Sequence, residues 1–255
     1  MTATAQPIAL FGPGILCVRR IDIANQGSIN IGKAQEFSIN LKASSKELYG
    51  QNQLPDLVAR GTIKASGKIK AARLSALAMN AAFFGQTLNS GGYQWNVNEA
   101  HNIPAVSTYT ITVTNSATFD QDLGVTYAAT GQPFVLVASG PTVGQYSVSA
   151  GVYTFAAADE GVAVLITYTS TVSGTGQNML FANQPIGTTP VFQLDYWNNV
   201  VQPSASPFAV RAFQCVSDSF GLQFKLEDYA MPEIDFSMYC NPAGNLFEAV
   251  WPNLA

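Results

Sequence analysis

Basic residues are missing from the middle of this chain: between Leu74 and Val210 there is no lysine or arginine. Histidine is nearly missing too, since His101 stands alone. A multi-histidine metal site is therefore excluded, and a histidine-based triad would have to run through that one residue. The cysteines, Cys17, Cys215 and Cys240, are widely spaced with no Cys-x-x-Cys pair. That usage argues against a disulfide framework or zinc ribbon and for reduced thiols. No apolar run approaches the roughly 18 residues of a membrane-spanning helix. The opening MTATAQPIALFGPG has no basic stretch ahead of a long apolar one, so no signal peptide is expected. Charge of either sign is scarce, at 11% against about 25% in ordinary domains. Hydrophobic residues make up 47%, so disorder is excluded.

What is present instead is uncharged polarity. Ser, Thr, Asn and Gln account for 71 of 255 residues, which makes the surface polar without charge. The length fits one large domain or two small ones with a sizeable core. The few charges are segregated. Residues 1–73 hold ten of the twelve basic residues and four acids, a net of +6. Residues 74–210 have a net of −6, and residues 211–255 a net of −4. Separated charge favours association of copies head to tail, unless the fold interleaves the segments.

The clearest pattern is period two. Phe37, Ile39 and Leu41 alternate with Glu36, Ser38, Asn40 and Lys42, and Ile63, Ala65, Ile69 and Ala71 with Thr62, Lys64, Ser66, Lys68 and Lys70. These are two long half-buried strands, joined across residues 48–56 as a large hairpin. Ile39 and Ile63 are both expected on its buried face. Leu74, Leu77, Ala78, Ala81 and Ala82 then recur at helical spacing before Gly85, predicting a helix over 72–84. Short strands follow at Tyr109–Thr114, Pro133–Val137, Gln145–Val148, Val152–Phe155 and Val162–Tyr168. Residues 172–206 read as loop, with Ser173-Gly174-Thr175-Gly176 and Pro203-Ser204-Ala205-Ser206-Pro207. Leu222, Phe224 and Leu226 alternate again, as do Ile234, Phe236 and Met238. The fold class is mainly β, a sandwich or barrel with one principal helix.

The chemical motifs are weak. GTIKASGK at Gly61–Lys68 has one residue too many for a phosphate loop and lacks the following Ser or Thr. Asp120-Gln121-Asp122 reads as a turn with too few ligands for calcium, and His101 as a loop residue. Glu227, Glu233 and Asp235 fall on polar strand faces as solvated or channel-facing carboxylates rather than an acid–base pair. The hairpin lysines lack interleaved aromatics for stacking single strands. No enzyme and no cofactor is expected.

KELYGQNQLPDLVARGTIKASGKIKAARLSALAMNAAFFG, GQYSVSAGVYTFAAADEGVAVLITYTST and LQFKLEDYAMPEIDFSMYCNPAGNLFEA resemble the tail tube (major tail) proteins of tailed bacteriophages, over roughly residues 30–255. The resemblance implies a virion protein assembled in the host cytoplasm. Its hexameric rings stack into a hollow tube that houses the tape measure protein and later conducts double-stranded DNA. Other implied partners are tail terminator, baseplate or tip proteins and, in a contractile tail, a sheath; no membrane is implied. An inner barrel of about two dozen strands would draw on 34–47, 57–71, 209–227 and 233–240, with the helix outside. Lumen-facing positions would be Glu36, Ser38, Asn40, Lys42, Thr62, Lys64, Ser66, Lys68, Lys225, Glu227, Glu233 and Asp235. Leu48, Tyr49, Gly50, Gln51, Asn52, Gln53, Leu54, Pro55 and Asp56 would reach the adjacent ring. Residues 1–103 and 173–255 would form the core and 104–172 a β-rich part of the sandwich or an outward insert. The alternatives are a ring protein of a contractile injection or secretion tube, and a carbohydrate-binding β-sandwich using Tyr93, Trp95, Trp197 or Trp251.

Overall fold

The computed structural model describes residues 14–73, 75–198, 208–227 and 229–251. In chain order the first strands are β1 (Ile15–Arg20), β2 (Ile29–Tyr49), β3 (Pro55–Ala71), β4 (Leu88–Asn102), β5 (Thr110–Thr112), β6 (Phe119–Tyr127) and β7 (Val135–Leu136). Then follow β8 (Gln145–Ser149), β9 (Val152–Phe155), β10 (Ala163–Met179), β11 (Val191–Asn198), β12 (Phe208–Gly221), β13 (Glu233–Met238) and β14 (Phe247–Val250). The protein is mainly β, with one short α-helix among the described residues, α1 (Ala76–Met79), continuing as a π-helical turn over Asn80–Phe84. It divides into two compact units, residues 1–87 with 180–255, and residues 88–179.

In the first unit the strand order is β11-β1-β2-β3-β13-β12-β14, with every pairing antiparallel. β11 also pairs with β12, so six strands close into a barrel and β14 adds to β12. Closure turns one face of each strand onto a common core. Leu16, Val18, Ile69, Phe192, Leu194, Ile234 and Phe236 fill it, and Phe37 and Ile39 pack against it half-buried. Gly67, the glycine that makes GTIKASGK look like a phosphate loop, has a packing reason. A side chain there would strike the Phe236 ring and the Ser38 carbonyl oxygen.

The helix is shorter than its apolar spacing predicts. Ser75 caps it, its Oγ accepting from the Ala78 N–H at 3.3 Å, so helical structure starts at 76 rather than 72. Leu74 lies outside the described residues. Buried Asn80 accepts from the Gln86 N–H and donates to the Gln86 carbonyl, both at 2.7 Å. Gly85 ends the turn in the left-handed region at φ 63°. Ala78, Ala81 and Ala82 pack on the barrel core. Small side chains let a helix sit close to a sheet.

The second unit is two sheets, β4-β10-β6 and β5-β9-β8-β7. Both contribute to one core that includes Ile111, Val125, Tyr146, Tyr153, Phe155, Val164, Ile166 and Tyr168. Sequence pattern and structure agree on Val152–Phe155. β4, β6 and β11 are not legible as strands in the sequence, and β10 continues through Ser173–Gly176 to Met179. Because β4 and β10 pair from Asn102 with Ala163 to Leu88 with Met179, residues 88–103 and 173–179 belong to this unit and not to the core unit. The expected loop Pro203–Pro207 lies outside the described residues.

Candidate functional site

The four segments expected to line a channel are neighbours in one sheet, in the order β2-β3-β13-β12. Alternation puts their apolar side chains inward, so the opposite face collects the polar ones. Register assembles that face into rows. Glu36, Lys70 and Glu233 stand side by side, ending at Gly221. The next row is Ser38, Lys68, Asp235 and Ser219, and the next Asn40, Ser66 and Ser237. Lys68 forms an ion pair with Glu233, whose hydrogen bond raises the lysine pKa. Ser219 Oγ donates to Asp235 at 2.7 Å and Ser237 Oγ to Asp218 at 2.6 Å. Acids and bases thus alternate across strands, and the lysines of the upper rows are offset by Glu36, Glu233 and Asp235.

Lys42 and Lys64 differ, because they face each other directly with no acid in register. Here the hairpin leaves the barrel. β2 pairs with β1 only as far as Lys33, and β3 with β13 only from Ala65 onward. From Lys42 to Lys64, therefore, among the described residues, β2 and β3 pair only with each other. An irregularity between Ala43 and Ser45 brings Ser44 Oγ 3.2 Å from the Thr62 hydroxyl. Thr62 lies at this bend. Past it the arm is wet on both faces. Ile63 is 50% exposed, Leu48 61%, Leu57 64% and Val58 59%. Ile63 is thus not on a buried face within the chain: the barrel core ends one rung before it, at Ala65.

The arm's tip is smaller than the predicted loop. Leu48 and Tyr49 belong to β2 and Pro55 and Asp56 to β3, leaving Gly50, Gln51, Asn52, Gln53 and Leu54 as the connection. Tyr49 Oη donates to Glu47, and Leu54 is 77% exposed.

Two expected channel positions are corrected. β12 ends at Gly221, so Lys225 and Glu227 are not on a strand. The pairing of Gly221 with Glu233 makes residues 222–232 the connection between β12 and β13, and among the described residues no strand pairs with 222–227. Phe224 and Leu226 alternate in the sequence, yet both are exposed. Glu227 adopts φ 64°. Lys225 lines a small groove with Lys70, Tyr229 and Glu233, at the border of the polar face. Asp228 lies outside the described residues. Asp218 and Ser219, which complete the face, are not legible in sequence because an irregularity between Ser217 and Ser219 breaks the alternation of β12.

His101, Asp120 and Asp122 take part in side-chain hydrogen bonds of the second unit. His101 is on β4, paired with Val164, and its Nε2 lies 2.7 Å from Glu99. Glu99 also accepts from Tyr168 Oη at 2.6 Å and from the Thr114 N–H and hydroxyl at 2.9 Å. Asp120 and Asp122 are on β6, not in a turn. Asp122 accepts from the hydroxyls of buried Tyr146 and Tyr153 at 2.5 and 2.8 Å, and Asp120 from Thr169 at 2.8 Å. Among the described residues no cluster of His, Cys, Asp and Glu could hold a metal ion. Of the aromatic candidates, Tyr93 and Trp95 share one face of β4. Trp197 and Trp251 belong to the first unit, the latter edge to face with Phe208 at 5.7 Å. The chain matches no protein-family model and no curated protein.

Proposed function

We propose that this chain is a structural subunit whose copies join edge to edge into rings that stack as a hollow tube, as the resemblance to phage tail tube proteins implies. The observation that carries the reading is the β2–β3 arm. A two-stranded ribbon with a wet apolar surface is marginal alone, and open strand edges template pairing with another chain. Identical copies satisfy both needs by heterologous contacts that close a ring. β2, β3, β13 and β12 then form one stave of a shared barrel, with the row-paired polar face turned to the channel and the arm tip toward the next ring. Balanced charge suits that channel, because every phosphate a wall neutralises adds salt-dependent grip on DNA.

Tape measure protein during assembly and double-stranded DNA afterwards are the proposed contents. The same geometry serves the ring of a contractile injection or secretion tube, which differs in cargo. The test is sedimentation of the wild type beside a Leu57→Glu/Val58→Glu double variant. The wild type is expected to sediment as rings or longer assemblies and the variant as folded single subunits. Equal assembly by both would remove the arm from the interface.

A further inference from the structure

We propose that the second unit carries a binding site for a neutral oligosaccharide, in the groove beside Tyr93 and Trp95. This goes beyond tube assembly and does not depend on it. Both rings stand on the face of β4 that solvent reaches, 57% and 64% exposed. Side chains two residues apart on a strand are separated by about 7 Å, so the pair offers two successive platforms. An open groove of about 530 Å³ runs along them, lined also by Gln94, Thr175, Gln177 and Asn178.

The groove is built by a break in the β4–β10 ladder. Val172 pairs with Gly92, and the next pairing is Gln177 with Ser90, so Ser173–Gly176 bulge outward. Gly91 lies in the left-handed region at φ 93°, and a side chain there would strike the Val172 carbonyl oxygen. Only glycine lets the two strands approach at that point and part beside it. Asn178 Nδ2 donates to the Gly91 carbonyl at 3.2 Å and holds the rim.

The lining selects the ligand. Among the described residues no carboxylate, lysine, arginine or histidine borders the groove, and residues 74–210 contain no lysine or arginine. A phosphate, sulfate or carboxylate ligand would find no counter-charge, which excludes nucleic acid despite the stacking surface. Aromatic faces take apolar C–H surface while amides and a threonine hydroxyl offer both donors and acceptors. A sugar ring presents that combination, an apolar face within a rim of hydroxyls. Two platforms in line fit consecutive rings of a chain better than a single sugar.

The full-length protein, probed on an array of neutral gluco-, galacto-, manno-, rhamno- and N-acetylglucosamine oligomers beside sialylated and sulfated ones, tests this. Binding to at least one neutral oligomer is expected. Trp95→Ala and Tyr93→Ala are each expected to weaken that binding by about tenfold or more, and Gln177→Ala to weaken it with the fold intact by circular dichroism. Trp251→Ala leaves it unchanged. No neutral binding, binding confined to charged glycans, or binding indifferent to Tyr93 and Trp95 overturns the proposal. Assembly of Trp95→Ala into rings is expected to match the wild type, so loss of the sugar site is separable from loss of the tube reading.

Discussion

Glu99 titrates far below an ordinary glutamate. Burial alone would raise its pKa, but hydrogen bonds from Tyr168, the Thr114 backbone, His101 and the Thr114 hydroxyl outweigh it and bring the value from 4.5 to about 2. A carboxyl depressed in the folded state stabilises fully above its unfolded pKa and loses that contribution as pH falls through the folded one. The second unit is therefore expected to melt at progressively lower temperature between pH 4.5 and 2, and Glu99→Gln to flatten that part of the profile in a calorimetric pH series. Thiols divide as sharply. Burial pushes Cys215 up to about 12, while Cys240 is exposed. Iodoacetamide at mildly alkaline pH should label Cys240 in the native protein and Cys215 only in denaturant, read by peptide mass spectrometry. Sequence composition makes Asp120-Gln121-Asp122-Leu123-Gly124 look like a turn. It is a strand because Asp122 has buried tyrosine hydroxyls to receive, a tertiary partner that no local pattern displays.

Among elements, the hairpin shows both the reach and the limit of periodicity. Alternation correctly places Phe37, Ile39 and Ile69 on the inner face. It carries the same inference to Ile63, where the barrel has already ended. The two isoleucines should therefore part company. Ile39→Asp puts a charge against the core and is expected to cost about 3 kcal/mol in urea unfolding. Ile63→Asp is expected to cost no more than about 0.5 kcal/mol in the isolated subunit, yet to impair assembly. Equal destabilisation by both would mean the arm is covered within the chain. Replacing Gly50–Leu54 by Asn-Gly, a two-residue hairpin turn, should leave subunits folded and rings formed but stacking weakened, measured as tube length. Elsewhere irregularity hides elements from the sequence. Asn98 at φ 57° and glycines within β4 and β10 break their alternation, and at 222–227 alternation exists where no strand among the described residues pairs with it.

At the scale of the molecule, the charge segregation along the chain resolves into units. The first unit holds all twelve basic residues and eleven acids, while the second holds five acids and no base. The basic start and acidic end of the sequence interleave in one sheet, so Lys68 meets Glu233 across β3 and β13. The middle of the chain keeps its negative sign as a separate unit. Mainly-β class, the hairpin and the apolar helix face were legible because each rests on local period. Barrel closure through β11 and β12 and the extent of the second unit were not, because both depend on pairings more than ten residues apart in strands with broken alternation. Negative-stain electron microscopy of the purified protein, across concentration and salt, tests self-assembly through the arm most directly. Tube assembly predicts six-fold rings with a central channel and stacks of them. Dispersed single subunits at every concentration and salt would contradict it.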